Sequence, residues 1–336
     1  MKPKQTVLAD LPYLPNEFVA LRIQAAIENG SNKNLCFSVG GGIGDRLCAE
    51  PTLRFALENF KDVSISIICE TPELFSHLKF HEVFDLKKTY PVVGRHLYLT
   101  TYPKSPLYNT FVNANMVDLV DHASISALRC QLPTIYKIIQ NDPQIEDRVR
   151  LAKLADIILD ERTVLVHPGK SWPSRTFPVS FWNSVICELV DGGFKPTIIG
   201  NNLVGGDEAT EALRLNHPSI TDLRSQTSLT ELAWLCKHAK AIVTNDSSPL
   251  HLAATGEGKI AYIATCRRGD LLRHERVGGK GWRMKDFAAQ PMWMYYNMIP
   301  NNADEQRISE VPPGFKIEDF LPEPADIVDW IKEIVL

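Results

Sequence analysis

Apolar residues follow two rhythms along this chain. Short continuous runs such as Asn34-Leu-Cys-Phe-Ser-Val39 and Arg162-Thr-Val-Leu-Val-His167 have the length and the β-branched or aromatic content of buried strands. Between them lie longer stretches with apolar positions three and four apart, the spacing of a helical face. Read in order, the pattern predicts a helix over 17–29, a strand over 34–39 and a helix after the glycines at 40–44. A strand over 63–69, a helical stretch over 72–78, strands over 83–86 and 96–100 and a helix over 116–128 follow.

A charged helix over 140–155 leads into a second series: strands over 162–167, 195–199, 240–244 and 259–263, with helices over 178–190, 207–215, 228–238 and 249–255. Residues 264–314 show no clear period. The chain closes on a helix over 325–335 whose Ile327, Val328, Ile331, Ile334 and Val335 share one face. Strands alternating with helices imply parallel sheets covered on both sides, and the restart at 162 implies two such α/β units. Ligands bind outside the carboxyl ends of the strands in such sheets. Candidate chemistry is therefore expected in the loops that follow strands and in a cleft between the units.

Composition narrows the class further. With 336 residues, 44% of them apolar and 23% charged, the chain is neither disordered nor fibrous, and its length fits two domains. A net charge of -4 leaves no overall electrostatic footprint for nucleic acid, so no stable nucleic-acid partner is expected. The seven cysteines are odd in number and scattered, as reduced core thiols of a cytosolic protein would be. No apolar segment has the size of a signal core or a membrane span. The expected location is cytoplasmic, either free or docked peripherally on a membrane.

Four segments carry candidate chemistry. Gly40-Gly-Gly-Ile-Gly-Asp45 follows the first strand, where glycines let backbone approach a ligand and the next helix start abruptly. A dinucleotide fingerprint would place its third glycine at Asp45, and a carboxylate there repels a pyrophosphate. Asp45 reads either as a helix cap or as a general base for an acceptor hydroxyl. The second segment runs from His167 to Pro178, where Lys170 and Arg175 stand among three prolines that stiffen the loop for an anion; His167 itself reads as a satisfied strand-end residue. The third is Asn245-Asp-Ser-Ser-Pro-Leu-His251, a turn offering hydroxyls and amides to a diphosphate or simply capping its helix. The fourth, 267–285, carries seven Lys or Arg against Asp270 and Glu275, either a solvated face or a grip on a phosphorylated ligand. Zinc, nucleophile-elbow and Walker motifs are missing from the sequence.

Taken together, GGGIGD (40–45), HPGKSWPSRTFPVSFW (167–182) and TSLTELAWLCKHAKAIVTNDSSPLHLAA (227–254) resemble glycosyltransferase family 9, the heptosyltransferase-like enzymes of lipopolysaccharide core synthesis. The resemblance implies an α/β GT-B fold of two Rossmann-like domains facing a central cleft, divided at 158/159. It also implies that the last helix, from 323 onward, crosses back to the first domain. An inverting, metal-independent transfer follows from it, with a nucleotide-diphosphate sugar as co-substrate rather than a cofactor.

The same resemblance implies roles for single residues. Asp45 matches the family's proposed base, in an acceptor-side loop with Gly41, Gly42 and Gly44. Arg175 stands where the family usually has lysine, and with Lys170, Ser247 and Ser248 would hold the donor phosphates. Asp246, His251, Thr227 and Ser228 would hold the donor sugar or nucleotide. The pattern departs from the family at Ser248, in place of glycine, and at Thr176-Phe177, in place of Arg-Trp. The expected acceptor is a glycan or glycolipid, in some cases phosphorylated. A modified nucleic-acid base or a protein as acceptor, a non-catalytic glycan- or nucleotide-binding module, and a nicotinamide-dependent oxidoreductase with Glu70 as ribose-binding acid stay open at this point.

Overall fold

The computed structural model describes residues 34–60, 63–85, 95–99, 119–128, 132–136, 138–169, 172–201, 212–266, 283–295 and 309–335. The predicted helix over 17–29, Lys170 and the basic run over 267–282 lie outside these residues. The chain divides into two compact units, with the boundary between Asp142 and Pro143.

The first unit holds the strands β1 (Asn34–Val39), β2 (Ser64–Cys69), β3 (Val83–Asp85) and β4 (Arg95–Leu99), all parallel and ordered β3-β2-β1-β4. Among the described residues its helices are α1 (Ile43–Asn59) and α2 (Leu119–Leu128). The predicted helix over 72–78 is only a 3-10 turn, Pro72–Phe75. Helix α1 is anchored by Glu50, a fully buried carboxylate. It accepts from Arg54 Nε at 2.8 Å and from the Gln140 amide at 2.8 Å, and it faces His77 Nε2 at 3.5 Å.

The second unit begins with α3 (Arg148–Leu159), which starts later than the charged pattern predicts because Asp147 caps it, accepting from the amides of Val149 and Arg150. Helix α3 packs on this unit's own elements, and its Arg150 pairs with Glu231. The boundary expected at 158/159 therefore moves back to the start of this helix's approach.

Strands β5 (Thr163–His167), β6 (Lys195–Ile198), β7 (Thr221–Asp222), β8 (Ala241–Thr244), β9 (Lys259–Ile263) and β10 (Met284–Phe287) form a parallel sheet ordered β10-β9-β8-β5-β6-β7. This is the doubly wound Rossmann order, with its topological switch between β5 and β8. Strand β10 lies in the stretch read as irregular, and residues 212–215, read as the end of a helix, are not helical. Helices α4 (Val179–Asp191), α5 (Leu229–His238), α6 (Ser248–Ala253) and α7 (Pro324–Val335) complete the unit.

The last helix corrects a second expectation. Ile327, Val328 and Ile331 of α7 are fully buried in one cluster with Trp182, Val185, Ile186 and Leu189 of α4 and Ile263 of β9. Trp330 meets Phe287 edge to face at 5.7 Å. The apolar stripe thus serves the second unit's core, where the family resemblance had placed it on the first. Truncating Ile331 to Ala is expected to cost about 2–5 kcal/mol in urea denaturation, since it opens a cavity among packed side chains. A loss well under about 1 kcal/mol would show that α7 is not part of that core.

Six cysteines fall in the described residues and none forms a disulfide; five of them are buried, as read from the sequence, and Cys187 is exposed. Among the described residues no helix is long and apolar enough to cross a membrane.

Candidate functional site

At the switch point of the six-stranded sheet, the register pairs His167 with Thr244, so the loops leaving β5 and β8 start side by side. Each loop follows a buried apolar strand, and carbonyls that the strands no longer use accept from side chains of a neighbouring loop. Asn245 Nδ2 donates to the carbonyls of Arg175, at 2.6 Å, and Gly169, at 3.2 Å. Thr265, just past β9, donates its hydroxyl to Ser174 O at 2.6 Å. Three strand ends are knitted into one surface.

Arg175 is the centre of this surface. Its guanidinium lies 4.0 Å above the Trp172 ring, and Nη1 contacts both the backbone oxygen of Asp246, at 2.8 Å, and its carboxylate, at 3.0 Å. Both side chains are nearly buried, 13% and 6% exposed. At that burial the pair is held by geometry and cannot drift into solvent. Phe177, at the family's tryptophan position, is buried and stacked on Trp182, so it is core.

The turn after β8 places Ser247 as N-cap of α6 and Ser248 at its first position, both half-buried, with His251 buried one turn on. Ser247 Oγ lies 3.0 Å from His167 Nδ1 and 3.2 Å from Thr244 Oγ1.

Burial pushes the His167 imidazole down to about 4, against a bonded side chain of Asn245 that favours the charged form. The unfolded chain takes up a proton near the ordinary value of about 6.5 and the folded chain does not. The stability that the neutral ring contributes is complete above about pH 6.5 and is lost progressively toward pH 4. Unfolding free energies are expected to fall over that window by up to about 3 kcal/mol, and His167→Phe to flatten the fall. An identical pH profile in the variant would assign the fall to other groups.

Two further sequence candidates separate from this surface. Ser228 is the N-cap of α5 in a reciprocal box: its Oγ accepts from the Glu231 amide at 3.2 Å, and Glu231 Oε2 accepts from the Ser228 amide at 2.8 Å. Its hydroxyl serves as a helix cap in this structure; Thr227, just before it, is half-buried. In the basic run, Arg283 is buried and donates to Gly258 O at 3.1 Å, and the exposed Lys285 sits 4.8 Å over the Phe287 ring.

In the first unit the glycine loop joins β1 to α1. Gly41 has φ +89°, and a Cβ there would lie 2.6 Å from Asp45 Cβ, so the turn requires glycine. Gly42 is the N-cap and Gly44 lies in the first turn. Asp45 Oδ2 accepts from the Gly42 amide at 2.8 Å, which shows the capping role and leaves the proton-accepting role to experiment. Sequence reasoning passed over Arg46, whose guanidinium bonds Glu70 and Thr71 at the end of β2. Glu70, the acid of the dinucleotide reading, is engaged by Arg46.

Comparison with known proteins bears on the fold and the family. Residues 120–260, which hold β5, β6, β8 and both loops of the switch point, match the family model of glycosyltransferase family 9 (heptosyltransferase). A glycosyl transferase family 9 structure from Veillonella parvula DSM 2008 superposes with TM-score 0.62 at 11% identity, covering 90% of this chain and 97% of that one. The E. coli ADP-heptose lps heptosyltransferase II superposes with TM-score 0.52 at 17% identity, covering 75% of this chain and 90% of its own. No curated protein sequence matches the chain significantly. The fold is that of the GT-B class, built from two Rossmann-like units. Within that class, the similarity at the level of sequence is to glycosyltransferase family 9, over residues 120–260.

Proposed function

We propose that the protein is an inverting, metal-independent glycosyltransferase that moves a heptose or another hexose-like sugar from a nucleoside-diphosphate donor. The acceptor is a hydroxyl of a lipopolysaccharide-core or other surface glycan. The observation that carries this reading is the Arg175, Asp246 and Ser247 group assembled at the switch point of a doubly wound sheet. Such switch points bind nucleotides.

In this reading Arg175, Lys170 and the turn at Ser247 and Ser248 stabilise the diphosphate as its bond to the anomeric carbon breaks, while Asp45 takes the proton of the attacking hydroxyl. One proton acceptor and one displacement invert the anomeric centre. The negative charge that develops is met by side-chain cations and hydroxyls. Asp246 fixes the guanidinium in place, and His251 is buried one helical turn on.

The E. coli neighbour is named for ADP-heptose and lipopolysaccharide, which puts ADP first in a thermal-shift screen of ADP, UDP, GDP and CDP. One of the four is expected to raise the melting temperature, as any ligand selective for the folded state does, and transfer is expected to persist in EDTA. Equal melting with all four would overturn the donor assignment.

A further inference from the structure

Ser247 does not do what its position invites. A serine at the N-cap ordinarily accepts from an amide two or three residues on, yet its hydroxyl makes no such bond. It is turned to His167 Nδ1 and Thr244 Oγ1 instead. Thr244 Oγ1 in turn gives its hydrogen to Asn245 O, at 3.2 Å.

Two glycines lie against the imidazole. A Cβ at Gly169 would lie 2.2 Å from its Cε1, and one at Gly200 would lie 2.7 Å from its Cδ2. Gly200 also has φ +105°, a conformation other residues adopt only under strain. Two glycines from two loops therefore enclose one ring, where an aliphatic side chain would fill a strand end without such a cradle. The ring points one nitrogen at one hydroxyl of the proposed donor turn.

We propose that His167 is a positioning residue for the donor site: its neutral ring, with the hydrogen on Nδ1, donates to Ser247 Oγ and holds that hydroxyl off the helix cap, so that the serine's own hydrogen goes to a diphosphate oxygen. This rests on the donor reading above. The hydrogens balance, because Thr244 has committed its own to a carbonyl and the ring supplies the one that Ser247 accepts. The Ser247 hydrogen otherwise reaches Asn245 O at 3.4 Å, a long bond that an anionic oxygen replaces with a stronger one.

Three variants test this by titration calorimetry with the nucleoside diphosphate that wild type binds. His167→Leu is expected to lose about tenfold in affinity, the worth of one hydrogen bond to a charged group. His167→Asn, whose side-chain amide can donate from the place of Nδ1, is expected to recover most of it. Ser247→Ala should match the loss of His167→Leu, and the double variant His167→Leu/Ser247→Ala should lose no more than Ser247→Ala alone. The KM for acceptor should stay unchanged throughout.

Wild-type affinity in His167→Leu, no recovery in His167→Asn, or losses that multiply in the double variant would each overturn the proposal. If His167→Leu fails to fold, nitrogen-15 spectra of histidine-labelled wild type decide: a protonated Nδ1 supports the proposal and a bare Nδ1 overturns it. If wild type binds none of the four diphosphates, the donor reading itself has failed and this inference falls with it. Binding by wild type that is insensitive to His167 removes this inference alone.

Discussion

Replacing Asp45 by Asn is expected to lower turnover by about 100- to 10,000-fold, the usual worth of a positioned base, while nucleoside-diphosphate affinity and melting temperature stay at wild-type values. The asymmetry follows from the two jobs of this carboxylate. Asp45 Oδ2 accepts from the Gly42 amide at 2.8 Å, and the oxygen of an asparagine amide can do the same, so the start of α1 keeps its cap. What the amide cannot do is take up a proton. Asp45→Ala removes both functions and should add about 1 kcal/mol of destabilisation for the lost cap. Single-turnover transfer measured beside thermal melting separates the two. Unchanged turnover in Asp45→Asn would leave Asp45 as a helix cap and nothing more.

Arg175→Ala is expected to be the most damaging change in the second unit, with a loss of about 3–5 kcal/mol in chemical denaturation and weak or no binding of diphosphate. The cause of the stability loss is the Asp246 carboxylate, 6% exposed and 3.0 Å from Nη1, which would lose the charge and hydrogen bond of this guanidinium while staying buried. Combining Arg175→Ala with Asp246→Asn should restore most of the stability, because no isolated charge is then left in the interior, yet it should not restore diphosphate affinity. Arg175→Lys keeps the charge but loses the planar stack at 4.0 Å on Trp172 and part of the geometry at Asp246. It should therefore fall between wild type and the alanine variant in both measurements. Wild-type affinity in Arg175→Ala would remove this residue from donor recognition.

Much of the fold was legible in the sequence for a simple physical reason. Strands β1, β5, β8 and β9 are buried on both faces of parallel sheets, so they read as continuous apolar runs. Strand β10 was not legible, because at the sheet edge it buries only Met284 and Phe287 and exposes Lys285 and Asp286 between them. Strand β7 is two polar residues long. The start of α3 was misplaced because charge mimics an exposed helix over 140–147, whereas Pro143 and the capping Asp147 argue otherwise.

In the site, the turns after β5 and β8 stood out because glycines, prolines and hydroxyls cluster where strands end. The partnership of Arg175 with Asp246 did not, since 71 residues separate them and no spacing rule reaches that far. The structural role of Ser228 was visible as Ser-x-x-Glu ahead of an apolar run, but the family motif around it drew the reading toward ligand binding.

The closing helix α7 bears on how the chain is made. Its Ile327, Val328 and Ile331 are buried beside Trp182 and Ile186, residues synthesised well over a hundred positions earlier. While translation continues, that apolar pocket on α4 has no native cover. The second unit therefore completes its native core only once residues 324–335 have been synthesised and have left the ribosome.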